Sequence, residues 1–484
     1  MSKVIQKKII KDVFEICSKF EQIQSATFVG SFVNSFNVTK NSDIDLIVII
    51  KKINKTFFKN FNKKILNLRI PNNNRKIVIN NTFGPLKFNT KTNLVFHIMI
   101  YDIQSHIEHV YKSPFTCLDW ERSNIYYKNK ISNICSVNRL FLKDFNNVRR
   151  GIEDYINDIN KKKISYREYD FDKLKYRIIK KYVDINHKSQ IEYSYHIIKF
   201  LSLNFLKFIN QKNINFKFYE IDNFYYELMK NEKHILSLKH IYNSKQLKYD
   251  VDFKALVKTT LIFINNFEKY LSNLNFKKII LIRHLKTKLN SGYFIGQKTN
   301  PPILKNQKLN IKLSKNYIIY SSPLKRCIET FDQINTKKKI IIDNNLKEID
   351  YGIADGQQID LFLANNTYMI KRWQEKKDPK FPKGENYNDV IKRAFKFLSK
   401  VKNNKSNKNT YAITHNVVIR CIIGKILNLP KSYWHLINIK HGYEIELLLI
   451  QDKFYLNISR EELRELLQKY DENRILYFTK QEIK

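Results

Sequence analysis

The sequence predicts an α/β protein of several domains: a small mixed-sheet domain over residues 1–120, a helical domain over 121–275 and an α/β/α sandwich over 276–484. Three observations support this prediction. First, 484 residues exceed what a single hydrophobic core normally serves. Second, glycine and proline, which mark turns, are scarce in the middle of the chain, and seven of the ten glycines lie within residues 276–484. Third, short apolar runs alternate with helical segments in that C-terminal part, as in a parallel sheet covered by helices.

Short runs rich in β-branched and aromatic residues predict the strands of the two sheets. In the first domain these runs are Ala26–Val29, Asp45–Ile50, Lys76–Ile79 and Leu94–Tyr101. In the last domain they are Lys278–Ile282, Asn316–Tyr320, Lys339–Ile342 and Thr410–Thr414. Between the two sheets, apolar residues recur at helical spacing and proline is absent from Phe115 to Asn300, so we expect helices over Ile191–Ile209 and Phe253–Leu274.

The chain carries a formal net charge of +42, for which two explanations stay open. A positive field suits RNA, DNA or anionic head groups, and it attracts phosphorylated substrates in any case. A/T-rich coding also enriches lysine, and the lysines are spread along the whole chain. The five cysteines include no Cys-x-x-Cys pair, which argues against disulfides or a zinc knuckle and predicts a cytoplasmic protein. We expect no membrane partner, because there is no bilayer-length apolar run and no signal-peptide pattern at the N-terminus.

Catalytic residue types follow the predicted strands of the last domain. Arg283 and His284 come after the first strand, and His415 comes after the last. Arg326 follows the second strand within Ser321-Ser322-Pro323-Leu324-Lys325-Arg326, and Glu348 follows the third. Phosphoryl transfer through histidine needs an unprotonated imidazole, cations around the phosphoryl oxygens and an acid for the leaving oxygen. Because open α/β sheets bind ligands at the carboxyl ends of their strands, this order predicts a phosphohistidine site.

Together these strings resemble the histidine phosphatase superfamily, which includes the cofactor-dependent phosphoglycerate mutases. The resemblance covers about Lys277 to Leu456 and extends to Asn290, Gly296, Glu329-Thr330, Gly356, Pro382-x-Gly384-Glu385 and Arg393. It implies an α/β/α sandwich of the phosphoglycerate mutase type that needs no cofactor. It implies His284 as the nucleophile and Glu348 as the proton donor to the leaving group. The residues implied to bind the phosphoryl group are Arg283, Asn290, Arg326 and His415.

The chain departs from this family at three positions. The family usually has Gly and Glu after the first histidine, where this chain has Leu285 and Lys286, and Gly after the second, where it has Asn416. We expect Leu285 to narrow the phosphate pocket or to shift the backbone. A mutase must hold a doubly phosphorylated intermediate, whereas a hydrolase must only admit water, so these departures favour a phosphatase.

A second constellation lies in the first domain, where Gly30-Ser31 precedes Asp43-Ile44-Asp45. Alternation along a strand places Asp43 and Asp45 on one face, and two carboxylates can hold Mg²⁺. The strings resemble the DNA polymerase β-like nucleotidyltransferases over about residues 25–101. The resemblance implies that Gly30 and Ser31 bind an NTP substrate and that the two aspartates bind Mg²⁺. The family's third carboxylate has no match inside the strand over residues 93–102: Asp102 ends it, and His97 holds the place of an acid.

Three functions remain open. The first is a bifunctional chain that hydrolyses a phosphomonoester and transfers a nucleotidyl group, acting on one small phosphorylated metabolite. The second is RNA end processing, which the positive charge favours. The third is a protein phosphohistidine or phosphoserine phosphatase whose nucleotidyltransferase-like domain is either a regulatory pseudoenzyme or modifies the same partner protein, and the missing carboxylate favours this reading.

Overall fold

The computed structural model describes residues 3–467, apart from gaps at 35–42, 72–74, 85–92, 138–139, 173–175, 211–217, 230–235 and 237–251 and at positions 186, 275, 291, 376, 405, 407 and 451. The chain divides into two compact units. The N-terminal unit comprises Met1–Leu140 and Asp144–Leu274, and the C-terminal unit comprises Phe141–Lys143 and Asn275–Lys484. Within the described ranges, no helix has the length and hydrophobicity needed to cross a bilayer.

The N-terminal unit is built on a mixed sheet, in which the described residues form five strands. These are β1 (Ile23–Val29), β2 (Ile44–Ile50), β3 (Lys76–Asn80), β4 (Asn93–Asp102) and β5 (Tyr126–Lys128). Their order is β3-β4-β2-β1-β5: β2 and β3 run parallel to β4, whereas β1 is antiparallel to β2 and β5. The four strands predicted for this domain are confirmed, and β5 is an addition from the region predicted to be helical.

Helices make up most of the rest of this unit. They are α1 (Lys3–Ser18), α2 (Ser31–Asn34), α3 (Lys55–Leu66), α4 (Ile103–Lys112), α5 (Pro114–Trp120), α6 (Ile131–Ile134), α7 (Phe145–Asn160), α8 (His187–Asn210), α9 (Phe218–Met229) and α10 (Phe253–Asn273). The apolar faces of α1 and α3 pack on β1, β2 and β4 to form the core. The two helices predicted from apolar spacing are confirmed as α8 and α10.

The middle region also contains a hairpin that the sequence analysis did not predict. Strand β6 (Lys163–Phe171) pairs antiparallel with β7 (Tyr176–Asp184). Tyr169 and Phe171 of β6 pack edge-on against Phe58 of α3, which ties the hairpin to the N-terminal core. Most of β7 is exposed, so its sequence lacks the apolar alternation by which a half-buried strand is detected.

The C-terminal unit is a sheet covered by helices on both faces, as predicted. Its described strands are β8 (Lys277–Arg283), β9 (Tyr317–Ser321), β10 (Ile341–Ile342), β11 (Asn409–Thr414), β12 (Glu444–Ile450) and β13 (Lys453–Leu456), in the order β10-β9-β11-β8-β12-β13. The first four are parallel, and β12 and β13 form an antiparallel edge that was not predicted. The described helices are α11 (Lys325–Asp332), α12 (Ile359–Asn365), α13 (Thr367–Gln374), α14 (Tyr387–Asn403), α15 (Asn416–Leu427) and α16 (Arg460–Leu466).

Alternate residues of the central strand supply the two cores of this unit. Ile279 and Leu281 pack with α14 and α15 on one face of the sheet. Ile280 and Ile282 pack on the other face with Cys327 of α11. Parallel pairing of β8 with β11 brings the carboxyl ends of these two strands together, and the next residues are the histidines of the predicted site.

Candidate active site

The paired ends of β8 and β11 bring His284 and His415 together. The backbone N–H of His284 donates to the carbonyl of Thr414 at 3.0 Å, which extends the strand pairing by one step. The two imidazole ring centres lie 5.1 Å apart, and both rings are buried. The sheet topology therefore brings the two predicted histidines together, although they lie 131 residues apart in the sequence.

His284 is held in the protonation state of a nucleophile. Its Nδ1 lies 2.7 Å from the carbonyl oxygen of Leu285. A carbonyl can only accept, so Nδ1 carries the proton and donates it, and the Nε2 lone pair is left for attack on phosphorus. Burial, followed by the positive charge of Arg326, lowers the pKa of His284 well below its ordinary value. The imidazole is consequently neutral at physiological pH.

Arg326 and His415 form a buried hydrogen-bonded pair. The Nε of Arg326 donates to Nδ1 of His415 at 3.1 Å, so the proton of this neutral ring lies on Nε2, which donates to the hydroxyl of Ser322 at 2.8 Å. The Nη2 of Arg326 donates to the carbonyl of Gly296 at 2.9 Å. Both ring nitrogens of His415 thus bond to protein side chains. In this arrangement His415 orients Arg326, and its role as a phosphoryl ligand stays a prediction.

Arg283 retains an unused hydrogen-bond donor next to His284. Its Nη1 donates to the carbonyl of Ile439, whereas its Nε is buried and has no hydrogen-bond partner among the described residues. Burial and then the charge of Arg420 lower the pKa of Arg283 to about 10, so the guanidinium stays cationic at neutral pH. A buried cation with an open donor is suited to bind a phosphoryl oxygen.

The surroundings of Glu348 favour its protonated form, as a general acid requires. Its side chain is 5% exposed, and burial raises its pKa despite the opposing charges of Arg326 and Arg393. The Nη2 of Arg393 donates to the backbone carbonyl of Glu348 at 3.0 Å, and both Nε and Nη2 of Arg393 pair with Glu385. This bidentate ion pair fixes the loop that carries the acid.

The loop after the nucleophile accommodates the unusual leucine. The backbone N–H of Leu285 donates to Thr330 Oγ1 at 2.9 Å, and a Cβ built on Gly442 would lie 3.2 Å from Leu285 Cδ2. The leucine therefore occupies space that a side chain at 442 would need. The side-chain oxygen of Asn290 accepts from the backbone N–H of Thr287, so Asn290 also shapes this loop.

Three residues of the site were not predicted from the sequence. Ser322 bonds His415, and Thr330 bonds both the Leu285 N–H and the Arg326 carbonyl; both lie in strings that the analysis quoted without a role. His441 donates from Nδ1 to the backbone carbonyl of His284 at 3.0 Å. It lies before β12, which was not predicted, and no motif in the sequence includes it. Only the tertiary structure therefore shows that His441 contacts His284.

In the N-terminal unit, Gly30 and Asp45 are in close contact. Gly30 has φ +72°, and a Cβ at this position would lie 2.5 Å from a carboxylate oxygen of Asp45. Ser31 begins the short helix α2, and Asp43 is buried just before β2. The structure thus brings Gly30, Ser31 and the two aspartates to one end of β1 and β2.

Asp45 is engaged by a histidine in the place of the missing acid. His97 lies directly opposite Asp45 in the parallel pairing of β2 with β4, and its Nδ1 is 3.0 Å from the Asp45 carboxylate. The other ring nitrogen of His97 lies 2.9 Å from the carbonyl of Thr82. The His97 ring therefore occupies an oxygen of the Asp45 carboxylate that a metal ion would also use.

Among the described residues, no third carboxylate joins Asp43 and Asp45, so Mg²⁺ binding at this end of the sheet stays a prediction. Asp102 pairs with Ile50 at the far end of β4, about 16 Å along the strand from the level of Asp45. Its carboxylate caps α4 by accepting from the Ser105 N–H at 2.8 Å. The structure does not bring Asp102 to the other two aspartates. Across the described part of the chain, no group of three His, Cys, Asp or Glu side chains could hold a metal ion.

Comparison with known protein families agrees with the geometry of the C-terminal unit. Residues 279–457 match the family model "Histidine phosphatase superfamily (branch 1)". A 118-residue stretch is 28% identical to "Fructose-2,6-bisphosphatase" of Saccharomyces cerevisiae, covering 24% of this chain and a quarter (25%) of the yeast protein. "Probable phosphoglycerate mutase GpmB" of Salmonella choleraesuis is 26% identical over 168 residues, which are 32% of this chain and 76% of that protein. The C-terminal unit therefore contains a histidine phosphatase superfamily domain.

Solved structures were also matched. Phosphoserine phosphatase of Entamoeba histolytica, in complex with 3-phosphoglyceric acid, has a TM-score of 0.34 and 22% identity, covering 38% of this chain and 95% of that one. The α-ribazole phosphatase of Shigella flexneri has a TM-score of 0.33 and 16% identity over the same shares of the two chains.

Proposed function

We propose that the C-terminal domain hydrolyses phosphomonoesters through a phosphohistidine intermediate at His284. The single observation that carries this proposal is the hydrogen bond from His284 Nδ1 to the Leu285 carbonyl, which directs a neutral Nε2 lone pair into a cationic, buried centre. The matched family model and the names of the relatives support phosphate-ester chemistry.

The reaction proceeds in two balanced steps. The Nε2 of His284 attacks phosphorus, the bond from phosphorus to the leaving oxygen breaks, and the Glu348 carboxyl gives its proton to that oxygen. Water then attacks the phosphohistidine, its proton passes to the Glu348 carboxylate, and orthophosphate leaves as His284 regains its lone pair. Arg283 and Arg326 stabilise the charge on the non-bridging oxygens in both steps.

A phosphate-release screen tests this proposal. The relatives' names concern small phosphorylated metabolites, so a panel of such phosphomonoesters is assayed with wild type, His284→Ala and the control His435→Ala, which alters an exposed histidine. We expect release by wild type and the control and at least a thousandfold loss in His284→Ala. No release from any ester, or equal rates in all three proteins, would reject the proposal.

For the N-terminal domain, we infer a role that does not involve metal-dependent nucleotidyl transfer, which favours the regulatory alternative over the bifunctional one. The contact of His97 with Asp45 supports this inference. Isothermal titration with Mg²⁺-ATP, using wild type and Asp43→Asn/Asp45→Asn, tests it. We expect no Mg²⁺-dependent binding. Binding in wild type that the double substitution removes would instead restore the nucleotidyltransferase hypothesis.

A further inference from the structure

The chain segment that follows the catalytic histidine is cationic and free of acidic residues. Between Glu268 and Glu329 there is no aspartate or glutamate. Seven of the lysines in this interval are exposed and form no ion pair with any residue that the structure describes: Lys286, Lys288, Lys298, Lys305, Lys308, Lys312 and Lys315. Some lysines elsewhere in the same unit form ion pairs, such as Lys377 with Glu375 and Lys400 with Asp343. Coding bias enriches lysine along the whole chain, but it does not explain why the 60 residues from 269 to 328, which include the predicted nucleophile, contain no acidic residue.

Backbone pairing places this segment at the catalytic site. The N–H of Leu304 donates to the carbonyl of Lys286 at 2.8 Å, and Gln307 bonds both backbone groups of Lys286. Residues 303–308 therefore lie alongside the loop that begins at His284. Two acids that contact this segment are engaged by its backbone. Glu329 accepts from the Ile303 N–H at 2.8 Å and lies 3.9 Å from Lys325, and Asp355 accepts from the Lys298 N–H at 2.9 Å.

Beyond residue 308 the segment runs away from His284 and presents further exposed lysines. Leu309, Ile311 and Leu313 pack against the core formed by β8, β9 and β11, while Lys308, Lys312 and Lys315 are exposed. We call the exposed residues Lys308, Lys312 and Lys315 the lysine track. A Cβ on Gly442 would contact both Leu285 and Leu309, so this track starts close to Leu285, the residue that follows His284. From residue 309 to residue 315 an extended chain spans at most about 20 Å.

The length of this track suits a substrate that carries more than one phosphate group. A lone phosphomonoester is bound by Arg283 and Arg326 and does not reach lysines that lie several residues along the segment. Further phosphates carried on a chain can reach them. Lysine is a flexible point charge that suits phosphodiester groups without selecting a base sequence.

We propose that Lys308, Lys312 and Lys315 bind the phosphodiester backbone of a single-stranded nucleic acid whose terminal phosphate is hydrolysed at His284. This proposal rests on the proposed function, since it names the substrate class of the same site. Cationic grooves that follow the backbone are the usual means of binding single strands without sequence preference.

Phosphate release from terminally phosphorylated oligonucleotides tests the proposal. Single strands of about ten nucleotides, with a 5′- or a 3′-phosphate, are compared with the corresponding mononucleotides. The track variant is Lys308→Gln/Lys312→Gln/Lys315→Gln. The matched control, Lys392→Gln/Lys396→Gln/Lys425→Gln, removes three exposed lysines from α14 and α15, which cover the opposite face of the sheet.

We expect wild type and the control to have a kcat/KM at least about tenfold higher for the oligonucleotide than for the mononucleotide, and this ratio to approach one in the track variant. The slope of log KM against log salt for the oligonucleotide should become shallower by about 2 in the track variant, since three phosphate contacts to a single strand are lost. Equal kcat/KM for oligonucleotide and mononucleotide in wild type would overturn the proposal and leave the phosphatase intact. A preference for an acidic phosphopeptide over the oligonucleotide would also overturn it.

Binding measurements separate this proposal from the proposed function. Fluorescence anisotropy of the labelled oligonucleotide, titrated with the His284→Ala protein, measures binding to the lysine track without hydrolysis. If no ester releases phosphate but salt-dependent binding is present and is lost in the track variant, the phosphatase proposal fails and the nucleic-acid surface stands. If His284→Ala binds the oligonucleotide no more tightly than the track variant does, the surface proposal fails.

Discussion

Burial shifts the pKa values of His284 and Glu348 in the directions that the proposed chemistry requires. It lowers the pKa of His284, which favours a neutral imidazole, and it raises the pKa of Glu348, which favours a protonated carboxyl. The same apolar surroundings thus push an imidazole and a carboxyl toward their uncharged forms. Each uncharged form is the reactive one for its role.

The pH dependence of kcat/KM should reflect these opposite shifts. Activity requires unprotonated His284, so the acid limb should lie well below pH 6.5, and it requires protonated Glu348, so the alkaline limb should lie above pH 4.5. A profile measured with an alkyl phosphate checks this. An acid limb at or above pH 6.5 would contradict the buried, neutral histidine.

The role of Glu348 can be separated from its contribution to binding by changing the leaving group. Glu348→Gln cannot donate a proton, so we expect it to slow hydrolysis of an alkyl phosphate by about 10²- to 10⁴-fold. p-Nitrophenyl phosphate releases a stable phenolate without protonation, so its hydrolysis should be far less affected. A similar loss of kcat for both substrates would show that Glu348 is not the general acid.

At the scale of a single element, the packing of α15 against Trp434 requires that residue 424 is a glycine. A Cβ there would lie 2.3 Å from Cε2 of Trp434, whose indole N–H donates to the Leu429 carbonyl at 2.9 Å. This close approach lets the tryptophan fill the core under the helix that follows His415. Since the indole is held by a hydrogen bond, it cannot move away at low cost.

Gly424→Ala should therefore lower the free energy of unfolding by about 1–3 kcal/mol, despite alanine's better helix propensity. Urea denaturation followed by circular dichroism measures the change. Lys425→Ala, at the exposed neighbouring position, is the control and should change the stability by less than about 0.5 kcal/mol. A Gly424→Ala protein as stable as this control would contradict the packing described for Trp434.

Elements with a strong local pattern could be predicted from the sequence, and those stabilised by distant contacts could not. The apolar runs that became β8 and β11 are largely buried and bounded by polar residues, and the predicted catalytic histidines follow them directly. Strand β7 is mostly exposed, so hydrophobicity did not reveal it. The partners of catalytic residues, such as Ser322 and His441, are set by chain segments that meet only after folding.

At the scale of the whole molecule, buried histidines make the stability of the N-terminal unit sensitive to acid. Burial lowers the pKa of His106 to about 3 and that of His109 to about 4. Below pH 6.5 the unfolded chain binds protons that the folded unit does not, so the free energy of unfolding falls as the pH drops toward 4. Each histidine should reduce it by about 2 kcal/mol between pH 7.5 and pH 5.

Urea denaturation at pH 7.5 and at pH 5 measures this effect. His106→Leu/His109→Leu should show a smaller loss of stability between the two pH values than wild type, whatever its absolute stability. His435→Ala, which removes an exposed histidine, should behave like wild type. An unchanged pH dependence in the double variant would mean that other groups control the acid response.

Trapping the phosphorylated enzyme tests the central claim most directly. Wild type and His284→Ala are mixed with excess phosphomonoester, quenched in alkali, in which a phosphohistidine is stable, and digested for mass spectrometry. The account predicts a phosphoryl group on His284 of wild type during turnover, and neither phosphorylation nor phosphate release in His284→Ala. Undiminished phosphate release by His284→Ala, or a phosphoryl group trapped on a different residue of wild type, would contradict it.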